Sequence, residues 1–288
     1  MNKSSLHIIH NGVLLPASEP VLLADNRAFC YGDALFETMH AKGADIQYVN
    51  EHFARLHQGM AALKIDGSEE LSLEKITKEI YRLINRDRLF GGVRIKLEVY
   101  RNSEGLYKPL SNRAGYLLHC TPLEAGSYEF NKKGLQLGLF TEIKKQVNCF
   151  SAFKTSNSLI NVMAGIYCKD QGLDDCLIIN EQNVIIEGFH SNLFLVKGNT
   201  LYTPPLSQGC VDGVMRKQII KLAPLLGLKT SENISIAESL ILDADEVFLT
   251  NAIQGISWAL AFKNRRYFNK ISRAISEKLN FYTFESTT

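Results

Sequence analysis

Val93-Arg94-Ile95-Lys96-Leu97-Glu98-Val99 alternates strictly between apolar and polar side chains. A period of two places Val93, Ile95, Leu97 and Val99 on one face and Arg94, Lys96 and Glu98 on the other, as in a strand with one face against a core. Upstream, residues 51–63 set Phe53, Leu56, Met60 and Leu63 at helical spacing, and residues 72–83 repeat the pattern with Leu73, Ile76, Ile80 and Leu83. Both stretches predict amphipathic helices. Before them, two short apolar runs, residues 6–9 and 13–15, flank the turn dipeptide Asn11-Gly12 and predict a hairpin. Downstream, residues 115–120 form another strand-like run. Together these elements predict a small α+β domain over residues 1–120.

Composition shifts at Thr121-Pro122-Leu123-Glu124-Ala125-Gly126-Ser127, where the breakers predict a linker. Beyond it, strands are expected at 135–140, 175–179, 183–186, 193–196, 201–202 and 246–249. Helices are expected at 158–169, 214–226 and 268–279. Residues 128–288 therefore form a larger mixed domain, and the fold class is α+β (mixed α/β) in two domains. The chain shows no internal repeat, no GxGxxG and no GxxxxGK[ST] sequence, so nucleotide-dependent readings lose their usual support.

Bulk properties narrow the function. With 288 residues, 45% of them hydrophobic, the chain can bury two cores of ordinary size. Its 32 Lys plus Arg against 30 Asp plus Glu leave a formal +2 with no basic face, which argues against a nucleic-acid partner. No apolar run approaches the roughly 20 residues that span a bilayer, and Met1 to Ser5 is polar, so the expectation is a cytoplasmic protein without a membrane partner. The 6 cysteines fall in no CxxC or Cys/His cluster, so neither a metal site nor a disulfide framework is expected.

Four features carry chemistry. Lys154, in Phe150-Ser151-Ala152-Phe153-Lys154-Thr155-Ser156-Asn157-Ser158-Leu159, follows an apolar stretch and precedes a helix for which Ser156 and Asn157 are candidate caps. Partial desolvation there would free its amine to attack an aldehyde. Taken alone, such a lysine is a solvated surface residue. Glu187 closes the apolar run 184–186, and a carboxylate there is costly to bury unless it meets a cation or a donor. A protonated pyridine nitrogen would be such a partner; the plainer reading is a turn carboxylate on neighbouring amides. An anion could sit at Gly213-Val214-Met215-Arg216, where free amides of Val214 and Met215 open a helix, and at Thr250-Asn251-Ala252. Arg55 could add a bidentate clamp.

Taken together, these segments resemble the fold type IV pyridoxal-phosphate enzymes, the class IV aminotransferases that include branched-chain and D-amino-acid aminotransferases and 4-amino-4-deoxychorismate lyase. The resemblance spans nearly the whole chain. It rests on six ordered motifs: Asp25 through Thr38, His52 through Leu56, Lys154-Thr155-Ser156-Asn157, Glu187 through Phe194, Gly213 through Arg216, and Thr250-Asn251-Ala252.

It implies a D-amino-acid-aminotransferase-like fold with a β-barrel-like second domain carrying Lys154, pyridoxal 5'-phosphate as cofactor, a homodimer, and a small amino or carboxylate substrate. Lys154 would be the Schiff-base lysine and proton shuttle, and Glu187 the partner of the ring nitrogen. Arg55, the amides of Val214 and Met215, and Thr250 would hold the phosphate, with Ser191 and Asn192 beside the ring and Asn251 in the cofactor set. Thr38 would be catalytic. Tyr31 looks like a substrate-side residue, and Arg101 or Lys108 would meet the substrate carboxylate.

Three features lean toward the lyase: the Val-Asp-Gly-Val-Met-Arg form of residues 211–216, Thr38, and Asn251-Ala252 after a strand. Leu106 before Tyr107, where lyases often carry an arginine and a glycine, leans away from it. His40 stands where many aminotransferases have arginine. The lyase, a transaminase, and a non-catalytic cofactor- or partner-binding homologue all stay open, with the lean toward the lyase.

Overall fold

A computed structural model describes residues 6–285; the polar start, Met1 to Ser5, lies outside that range. The chain divides into two compact units, Met1–Ser127 with Phe153–Asn157, and Tyr128–Ala152 with Ser158–Thr288.

The first unit runs β1 (His7–His10), β2 (Val13–Pro16), α1 (Arg27–Tyr31), β3 (Ala34–Lys42), β4 (Asp45–Ile46), α2 (Val49–Ala62), α3 (Leu73–Asp87), β5 (Gly92–Arg101) and β6 (Ala114–Leu123). Its six strands are ordered β2-β1-β6-β5-β3-β4. The β1–β2 turn uses Asn11 at φ 50° and Gly12 at φ 87°, left-handed at both central positions as a tight hairpin requires. The expected alternation in β5 is real: Val93, Ile95, Leu97 and Val99 are fully buried, and they share one core with Phe53, Leu56 and Met60 of α2 and Ile76, Ile80 and Leu83 of α3.

Two expectations shift here. Thr121 to Leu123, read as linker, are the end of β6, paired with Arg94, Val93 and Gly92. Pro122 is tolerated because a strand end can spare one donor. The Lys154 segment, expected with the second domain, groups with the first unit. Phe36 donates its N–H to the Lys154 carbonyl at 2.8 Å, Ser156 donates to Ala34 at 2.9 Å, and Thr155 bridges Leu35, so residues 154–156 run as a short extension beside β3.

The second unit runs β7 (Leu135–Lys145), α4 (Leu159–Gln171), β8 (Asp175–Asn180), β9 (Ile185–Gly188), β10 (Asn192–Lys197), β11 (Thr200–Tyr202), α5 (Val214–Leu222), β12 (Lys229–Ser231), α6 (Glu238–Leu242), β13 (Glu246–Asn251), β14 (Gly255–Phe262), β15 (Arg265–Arg266) and α7 (Lys270–Asn280). Its sheet is ordered β12-β11-β10-β13-β14-β7-β8-β9, with β15 on β14. β7 and β8 pair in parallel, which requires a crossover, and α4 lies within it. Ser158, and not Ser156 or Asn157, is the N-cap of α4. The helix buries Ala164 and Cys168 and leaves Leu159, Val162 and Ile166 exposed at 71, 54 and 47%.

Candidate active site

In the first unit, β3 places alternate side chains on opposite faces of the sheet. Leu35, Glu37, Met39 and Ala41 face α2, while Phe36, Thr38 and His40 take the other side. The Lys154 ammonium sits over the Phe36 ring, 4.7 Å from its centre, on that second side. Thr38, the next residue along the same face, is half-buried and lies directly across from Lys96 of β5. A lysine amine and a threonine hydroxyl thus share one strand face, the grouping a proton relay needs. His40, at the end of that row, is buried, and burial pushes its imidazole pKa below the ordinary value against a smaller opposing bond to the Ala125 backbone.

On the core side, Arg55 reaches Glu37 in a bidentate pair, Nε to Oε1 at 2.8 Å and Nη2 to Oε2 at 2.6 Å, and His52 Nδ1 meets Oε2 at 2.7 Å. Burial alone would raise the Glu37 carboxyl pKa. The Arg55 charge and the bonds from His52 and Arg55 outweigh it and hold the group at about 2. The guanidinium expected at a phosphate is therefore first of all the counter-ion of Glu37, a residue that sequence reasoning did not single out.

Arg101 departs from expectation outright. Its Nε and Nη2 donate to Asp33, Nη1 to the Lys64 carbonyl and Asn112 Oδ1, and Nη2 to the Leu63 carbonyl. A guanidinium has five N–H donors, and these contacts use them all. Arg101 is thus a buried strut for the turns around it, with no donor left for a substrate carboxylate. Arg27 shares Asp33 through Nε at 2.8 Å and grips the Gly105 and Leu106 carbonyls, so the loop after β5 is anchored to α1. Tyr31 stacks over Arg27 and lies 5.5 Å from the Tyr107 ring. Lys108, on the same loop, is exposed.

In the second unit, Glu187 on β9 is 3% exposed. Its Oε1 accepts Lys145 Nζ at 2.5 Å, and its Oε2 accepts the Val211 N–H at 2.8 Å. The cation that burial demanded is thus present in the protein. Asn192 donates to the Val211 carbonyl at 2.8 Å, so the loop before α5 is tied at both main-chain groups of one residue. Gly213 is the N-cap of α5, and a Cβ there would come within 1.9 Å of Asn192 Oδ1. No side chain caps α5, and its first turn holds no acid, which leaves the Val214 and Met215 end electropositive. Asp212, just before it, is paired with Lys217 at 2.6 Å.

Thr250 pairs with Asn192 across the β10–β13 ladder. It is 1% exposed, and its Oγ1 finds no hydrogen-bond partner among the described residues. Ser191 follows the β9 turn, where Gly188 N–H bonds its carbonyl. Asn251 has its side chain engaged within the turn that follows β13. Its Oδ1 accepts from Ile253 and Gln254, and its Nδ2 donates to the Gln254 side chain, so it shapes the β13–β14 turn.

The family model for class IV amino-transferases matches residues 34–259 of this sequence. The chain belongs to the class IV aminotransferases. It is 27% identical over 252 residues to D-alanine aminotransferase of Bacillus licheniformis, covering 85% of this chain and 84% of that one. To aminodeoxychorismate lyase of Bacillus subtilis it is 26% identical over 246 residues, covering 84% and 82%. Among solved structures, the branched-chain aminotransferase of Thermoproteus uzoniensis superposes with a TM-score of 0.88 over 98% of this chain and 97% of that one, at 19% identity, which shows the shared fold.

Class IV aminotransferases use pyridoxal phosphate, and this chain is a pyridoxal-phosphate enzyme of the two-domain fold type IV. Its residues fit that group. A buried hydroxyl at Thr250 with no hydrogen-bond partner among the described residues and an uncapped helix start at Gly213 suit a phosphate. A buried anion at Glu187 suits a protonated ring nitrogen.

Proposed function

We propose that this class IV enzyme is a 4-amino-4-deoxychorismate lyase, releasing 4-aminobenzoate and pyruvate. The observation that carries the reading is the Lys154 ammonium over the Phe36 ring of β3, with Thr38 the next residue along that strand face. When bound, pyridoxal phosphate supplies an electron sink for charge developing at the substrate carbon that bears nitrogen. Lys154 would provide the covalent attachment point and then take the proton from that carbon, the proton going on to the departing pyruvyl group. The Thr38 hydroxyl passes a proton between the Lys154 amine and the departing group. Glu187 stays anionic to hold a proton on the nitrogen facing it. Thr250 Oγ1 and the N–H groups of Val214 and Met215 bind phosphate oxygens, Arg55 adds its charge, and Ser191 and Asn192 line the ring side. Tyr31 and Lys108 form the substrate side.

Cofactor-loaded protein mixed with 4-amino-4-deoxychorismate is expected to release fluorescent 4-aminobenzoate, and Lys154→Ala to abolish it. Absence of release from loaded wild-type protein would reject the lyase. Transamination is the second reading, favoured by the similarity to D-alanine aminotransferase. Its test is transfer from a panel of amino acids to 2-oxoglutarate. A non-catalytic homologue predicts neither reaction.

The reading includes a homodimer in the cytoplasm. The exposed row Leu159, Val162 and Ile166 on α4 offers a second copy an apolar surface. Sedimentation of wild type against Val162→Glu tests it, with dissociation expected in the variant.

A further inference from the structure

Lys145 ends β7 and meets Glu187 from 42 residues upstream, with its own side chain 18% exposed and that of Glu187 4% exposed. We propose that Lys145 is a positioning residue for Glu187, neutralising the buried carboxylate and turning it so that its other oxygen carries the Val211 amide. The functional consequence rests on the assignment of Glu187 to the ring nitrogen.

A carboxylate buried to this degree is stable as an anion only with a cation and donors around it. The Val211 N–H alone is a single neutral donor. The groups facing Glu187 are few. Opposite it on β8 stands Ile178, which is apolar. From the loop before α5 comes the Cys210 thiol, which lies in the fields of Glu187, Lys145 and Arg216 and is pushed up to about 12, first by burial and then by Glu187. Arg216 itself is committed to Glu232 and to the Pro204 carbonyl. Lys145 is therefore the cation that contacts the carboxylate.

Geometry extends the effect beyond charge. Oε2 of Glu187 holds the Val211 N–H, and Asn192 holds the Val211 carbonyl. Three residues later α5 starts, with Val214 and Met215 at its uncapped end. If Lys145 is removed, the carboxylate either takes up a proton, which weakens its hold on Val211, or swings toward water, which releases it. One lysine thus sets the state of the ring-nitrogen partner and the position of the phosphate-binding helix start. No step of the reaction uses Lys145 directly.

The test compares Lys145→Met, Lys145→Arg, Glu187→Gln and the Met/Gln double variant of the full-length chain. Two readouts are needed, urea unfolding of cofactor-free protein across pH and the pH dependence of the visible band of the loaded protein. Lys145→Met is expected to lose more stability at mildly alkaline than at mildly acidic pH, because a proton can replace the missing cation only in acid. That loss should largely vanish in the Glu187→Gln background, and Lys145→Arg should restore wild-type behaviour. Cofactor affinity should fall by roughly tenfold to a hundredfold in Lys145→Met, as for one charge-assisted contact.

An equal loss at both pH values, unchanged in the Glu187→Gln background, would overturn the proposal and leave Lys145 as packing. Intact coupling in cofactor-free protein, together with a visible band and affinity indifferent to Lys145→Met, would instead uphold the pair and overturn the assignment of Glu187 to the ring nitrogen.

Discussion

Two buried glutamates, one in each unit, are held very differently. Glu37 receives three hydrogen bonds from two buried side chains, and its carboxyl pKa is held at about 2. Glu187 receives one ammonium and one backbone amide among the described residues. A carboxylate can accept about four hydrogen bonds. Glu37 is close to saturation with rigid partners, so it works as a brace for Arg55. Glu187 keeps capacity on a pair of oxygens whose partners come from a strand end and a loop. Burial alone therefore does not say what a carboxylate can still bind; what its partners leave unused does. The same distinction separates Arg101, with every donor spent, from Thr250, with a buried hydroxyl left over.

The largest effect is expected from Lys154→Ala, which should lower turnover by about 10⁴-fold or more through loss of both the attachment point and the proton shuttle. Steady-state kinetics with added amines would detect partial rescue. Glu37→Gln should cost about 3–5 kcal/mol of folding stability, because it strands the Arg55 charge in the core, and urea unfolding measures it.

The pH dependence sharpens that point. The Glu37 carboxyl pKa falls on folding, from an ordinary 4.5 to about 2, so its stabilising contribution is complete above about 4.5. It is lost as pH falls toward 2. Melting temperature followed through that window should drop in wild type and change much less in Glu37→Gln.

Gly213→Ala should cost about 1–3 kcal/mol, since the new Cβ displaces Asn192 and its hold on Val211, and calorimetry would show it. Thr250→Val is the smallest. It should leave the stability of cofactor-free protein nearly unchanged while weakening pyridoxal-phosphate binding by roughly threefold to tenfold, the scale of one neutral hydrogen bond. A destabilised protein with normal affinity would show that Thr250 is a packing residue instead.

How much of this was legible follows from burial. β5 was plain because only one of its faces meets the core, so its alternation survives in the sequence. β3 and β14 passed unnoticed as strands. Ala34, Leu35, Met39, His40 and Ala41 bury both faces of β3, and Gly255–Phe262 is apolar along most of its length, which erases a period of two. The β6 end was mistaken for a linker because Pro122 suggested a break that a strand terminus tolerates.

The site divided in the same way. Lys154, Glu187 and Thr250 stand in ordered motifs, which is why the sequence offers them as candidates. That Glu187 needed a cation was also readable from its place at the end of an apolar strand. That the cation is Lys145 was not, because the pair is made by sheet pairing between residues 42 apart. The partners of Arg101 were hidden for a related reason. Asp33, Leu63, Lys64 and Asn112 come from three separate turns, and no local pattern announces them.

The most direct test of the account is to reduce the cofactor-loaded protein with borohydride, digest it and locate the pyridoxyl group by mass spectrometry. The account predicts the label on Lys154, within the tryptic peptide Gln146 to Lys169, uncut at the modified lysine. A label on another lysine, or none on protein that binds the cofactor, would contradict it.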